Sequence, residues 1–86
     1  MPLQKHPLER EFPEYVAQLQ FLQCRDGHFQ HLVDEYHRLD ERIFTVEAGR
    51  QALDDYLLLG LKLQRVGLKD EIAERLRQAK ASADLQ

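Results

Sequence analysis

Phe29-Gln30-His31-Leu32-Val33-Asp34-Glu35-Tyr36-His37-Arg38-Leu39-Asp40-Glu41-Arg42-Ile43-Phe44-Thr45-Val46 is the stretch that decides the fold. Its apolar positions Phe29, Leu32, Tyr36, Leu39, Ile43 and Val46 alternate three- and four-residue steps without a break, the spacing that lays one seam along an α-helix. Val33 and Phe44 widen the seam on one flank, and Asp34 and Arg38 lie four apart on the wet side. The expected helix spans about 28–47. Asp26 before it suits an N-cap, and Gly49 after it tolerates the left-handed backbone that closes helices.

The short connection after Gly49 predicts that the next helix, about 52–80, runs back antiparallel. Its main stripe is Leu53, Leu57, Leu61, Leu68, Ile72, Leu76 and Ala79. The helix-seam core of the hairpin is therefore Phe29, Leu32, Tyr36, Leu39, Ile43 and Val46 against Leu57, Leu61, Leu68 and Ile72. At the standard rise the third helix measures about 43 Å against about 30 Å for the second, so it overhangs its partner. A first helix over about 13–23, with Pro13 at its start and Phe12, Tyr15, Val16, Leu19 and Leu22 as its apolar face, is placed to cover part of that overhang. A rival arrangement, one interrupted helix from Phe29 to Leu76 pairing between chains, is disfavoured by Gly49.

Tyr56, Leu59, Leu63, Val66 and Ala73 form a second apolar sector on the third helix, more than one partner helix can bury. Leaving such side chains wet forgoes on the order of 1.5 to 3 kcal/mol for each Leu. The expectation is self-association through this sector, with a dimer favoured and a helical bundle as the product. Gly60 and Gly67, two turns apart beside the sector, either allow close backbone approach or are tolerated weak points of the helix.

Eighty-six residues make one domain, 1–86, in the size range where oligomerisation commonly supplies missing burial. The Met1–Phe12 stretch is no secretory signal, and the longest apolar run falls far short of a membrane span, so a cytoplasmic protein without a membrane partner is expected. One cysteine excludes an internal disulfide. The net charge of −3 is uneven: residues 9–55 carry 5 Arg against 11 acids, and residues 61–80 carry 6 Lys plus Arg against 3 acids. Lys62, Arg65, Lys69, Arg75, Arg77 and Lys80 define a nucleic-acid alternative, which the interleaved Asp70, Glu71 and Glu74 argue against.

Candidate chemistry is sparse. His28, His31 and Glu35 share a helix face and give at most three metal ligands, an arrangement more often made of ordinary solvated side chains. Cys24 beside Arg25, near a helix start, is a candidate reactive thiol or a small helix-end hydrophobe. Tyr36 and His37 offer proton transfer on paper, but Tyr36 belongs to the seam. Phosphate loops, nucleophile elbows and paired cysteines are missing from the sequence. The expectation is no enzyme, no cofactor and no metal site, and instead an assembly or protein-interaction module with an unidentified protein partner.

Phe12-Pro13-Glu14-Tyr15, Phe29, Leu32, the Leu39-Asp40-Glu41-Arg42-Ile43 segment with Glu47, Leu61-Lys62 and Leu68-Lys69-Asp70-Glu71-Ile72 together resemble the YdcH family. The resemblance implies a small bacterial protein of unknown function, a helical hairpin or coiled coil, and no catalytic residues. Leu63, Val66 and Gly67 depart from the Lys-rich stretch usual there, which weakens a polyanion role and adds to the assembly reading.

Overall fold

The computed structural model describes residues 7–49 and 54–84. It is an all-α helical hairpin with an N-terminal flap: α1 (Leu8–Glu11), a 3-10 turn (Pro13–Tyr15), α2 (Val16–Arg25), α3 (Gly27–Glu47) and α4 (Asp55–Asp84). Asp26 alone separates α2 from α3. Its carboxylate accepts the Phe29 backbone N–H at 3.1 Å, the bond an N-cap makes, so one residue both ends a helix and starts the next. Gly49 closes α3 at φ +77°, with its N–H on the Val46 carbonyl. Asp54 opens α4 by accepting the Tyr56 N–H at 2.7 Å. The expected start at 52, and Leu53 of the stripe, lie outside the described residues.

α3 and α4 pack antiparallel, and the cross-helix pairs Lys62 to Glu47, Arg65 to Asp40 and Arg75 to Asp26 set their register. Lys62 meets Glu47 on the last turn of α3, so residues 55–59, about one and a half turns, reach past its end. The far end of α4 also overhangs, and α2 covers it: Phe21 and Leu22 form an apolar recess with Ala79.

The core gathers Leu8, Phe12, Leu19, Phe29, Leu32, Val33, Tyr36, Ile72 and Leu76. Leu8 lies ahead of the first expected helix, yet it is fully buried. Pro7 provides the carbonyl that accepts the Arg10 and Glu11 N–H groups, and this single turn puts Leu8 and Phe12 on one side, four residues apart.

The seam differs from the expectation on both long helices. Phe29, Leu32, Tyr36, Ile43 and Ile72 are buried, but Leu39, Val46, Leu61 and Leu68 are only half-buried, whereas Val33 and Asp40 are buried. The contact stripe on α3 thus runs Phe29, Leu32, Val33, Tyr36, Asp40, Ile43, turned by about 40° from the expected one. The N-terminal flap packs on that flank and draws the core toward itself. Leu57, expected in the seam, is 60% exposed because it projects beyond the end of α3, and Leu58 is more covered than it.

Candidate functional site

Where the flap meets the hairpin, Glu11, Tyr36, Asp40, Arg65 and Lys69 converge. Arg65 occupies a seam position and donates to Asp40 at 2.9 Å; Asp40 is 4% exposed. Lys69 pairs with Glu11 at 3.2 Å and lies over the Phe12 ring, tying α1 to α4. Burial pushes the Tyr36 phenol up to about 12, assisted by the Asp40 and Glu11 carboxylates and opposed by Arg65. Two acids and two cations balance, so the cluster is a neutral lock: it positions three segments and leaves no net charge for a ligand. Periodicity could not reveal it, because Asp40 and Arg65 each read as solvated helix residues until their elements are docked.

The six cations of the nucleic-acid alternative are all engaged. Besides the pairs of Lys62, Arg65, Lys69 and Arg75 already described, Arg77 donates to Glu74 and holds that carboxyl below its usual range, and Lys80 lies 5.4 Å from the centre of the Tyr15 ring. The three candidate metal ligands are split. His31 reaches Glu35 at 2.9 Å, while the nearest carboxylate to His28 is Glu71 on α4, at 4.0 Å. Among the described residues no group of three or more His, Cys, Asp or Glu is arranged to hold a metal ion. Cys24 is exposed on the last turn of α2, not at a helix start, and the Arg25 guanidinium lies over the Phe21 ring.

Away from the flap, an open groove of about 540 Å³ runs between α3 and α4. Leu39 and Leu68 make its floor, and Glu35, Glu71, Arg38 and Arg42 line its rim with both signs of charge.

The outer face of α4 is the most unusual surface. Tyr56, Leu59, Leu63 and Val66 fall within about 80° of arc, opposite the core-facing Arg65, Ile72 and Leu76. They are 85%, 54%, 62% and 54% exposed. Ala73, the remaining member of the sector, is instead partly covered and packs against the core. Gly60 and Gly67 flank the stripe, and a Cβ built at either meets nothing within 4 Å.

The described residues thus form an all-α helical hairpin with an exposed apolar stripe on α4. The family model "Protein of unknown function (DUF465)" matches residues 29–76, more than half of the chain, and the chain belongs to that family. Comparison with curated proteins and with solved structures finds no match.

Proposed function

We propose that this chain is a non-enzymatic assembly module of the YdcH type, working in the bacterial cytoplasm, that associates with a second copy of itself through Tyr56, Leu59, Leu63 and Val66. The observation that carries the reading is the exposure of these four side chains on a helix whose opposite face already builds the core. These four side chains leave on the order of 500 Å² uncovered per chain, so two copies together bury about 1,000 Å², the size a specific interface has to reach. A second copy is the occupant that supplies an equal apolar area. Asp34 and Glu41 of α3 then remain outward for a protein partner. Pairing of five of the six cations with carboxylates supports this reading over the nucleic-acid one, since phosphate binding relies on unopposed charge. No described helix is long and apolar enough to cross a membrane.

The test is molar mass by light scattering across a wide concentration range. The wild-type chain is expected to reach a dimer, and Leu59→Asp with Leu63→Asp to return it to a monomer with its helical signal intact. A wild-type monomer at every concentration, or a double variant that still dimerises, rejects the assignment.

A further inference from the structure

The self-association reading does not specify how two copies meet, and the order of residues on the outer face of α4 does. On one side of the line through Leu63 lie Leu59 and Val66; on the other, at about 40° to 60°, lie Gly60 and Gly67. Measured outward from Leu63, the pattern is nearly the same in both directions. A two-fold interface requires this property, because every contact between residues i and j is matched by one between j and i.

Resting on that reading, we propose that the second copy packs antiparallel on α4 about a two-fold axis at Leu63. Leu63 then meets the partner's Leu63, Leu59 meets the partner's Val66, and Gly60 meets the partner's Gly67. The apolar side fills with side chains, and the glycine side lets the backbones approach, since the space above each glycine is open in the single chain. Charge selects the antiparallel sense. Asp70 and Glu74 continue along the same outer face beyond Val66. A parallel pair stacks each against its own copy, a like-charge juxtaposition that opposes binding. The antiparallel pair sets Asp70 beside the partner's Tyr56, whose phenol can donate a hydrogen bond.

Gly60→Ala and Gly67→Ala test the seat of the backbone with effects of opposite sign. Alanine forms helix better than glycine and its methyl meets nothing within the chain, so the dilute monomer is expected to melt at the same or a higher temperature. The dimer Kd is expected to rise at least tenfold. On a Cys24→Ser background, Leu63→Cys is expected to oxidise to a dimer with itself, and Leu59→Cys to do so only when mixed with Val66→Cys. A dimer whose Kd ignores both alanines, or a Leu59→Cys chain that links to itself, overturns this geometry and leaves self-association standing. A monomeric wild type overturns both.

Discussion

Asp40 and Arg65 show how a single polar pair can govern a helical hairpin. A buried ion pair contributes little net stability, because desolvating both charges offsets their attraction, but removing one partner strands the other. Asp40→Ala is therefore expected to cost about 3 kcal/mol in denaturant unfolding. The double change Asp40→Leu with Arg65→Leu should recover most of that loss while relaxing the register that the pair imposes. Tyr36 reports the same region through pH. The folded chain keeps its phenol protonated up to about 12, while the unfolded chain releases the proton near 10. Between these values the unfolded state binds fewer protons, so stability falls as pH rises through the window. Absorbance titration should show one of the three tyrosines ionising last, near pH 12, and Tyr36→Phe should remove that step.

At the scale of elements, the two long helices and the short helix that covers their overhang were legible, and α1 was not. The seam from Phe29 to Ile43, the cap at Asp26 and the stop at Gly49 are local signals, each read from a few neighbouring residues. α1 gave no such signal, because one Leu among charges carries no period. Its burial arises only when Leu8 and Phe12 find the flank of α3 that Val33 opens. Leu8→Ala should accordingly lower stability by about 3 kcal/mol, within the range for emptying a fully buried leucine site. Amide hydrogen exchange should show residues 8–15 opening faster while the centre of α3 stays protected. A variant with unchanged stability and unchanged protection in residues 8–15 would show that the flap does not hold the core.

For the whole molecule, the decisive balance is between two apolar faces on one helix. The inner face of α4 is served by α3 and the flap; the outer face between Tyr56 and Val66 is not. If a second copy serves it, folding is linked to association and the thermal midpoint climbs with protein concentration. Leu59→Asp with Leu63→Asp should flatten that dependence, as calorimetry over a hundredfold concentration range would reveal.

By itself the sequence determined that this chain is a helical hairpin with more apolar surface than one partner helix can bury, because helix period, caps and breakers are properties of neighbouring residues. Only the tertiary structure decided which side of each seam is core. The 40° turn of the α3 stripe, the exposure of Leu57 and the Asp40–Arg65 pair all follow from where the flap docks and where α3 ends, and those depend on contacts between residues distant in the chain.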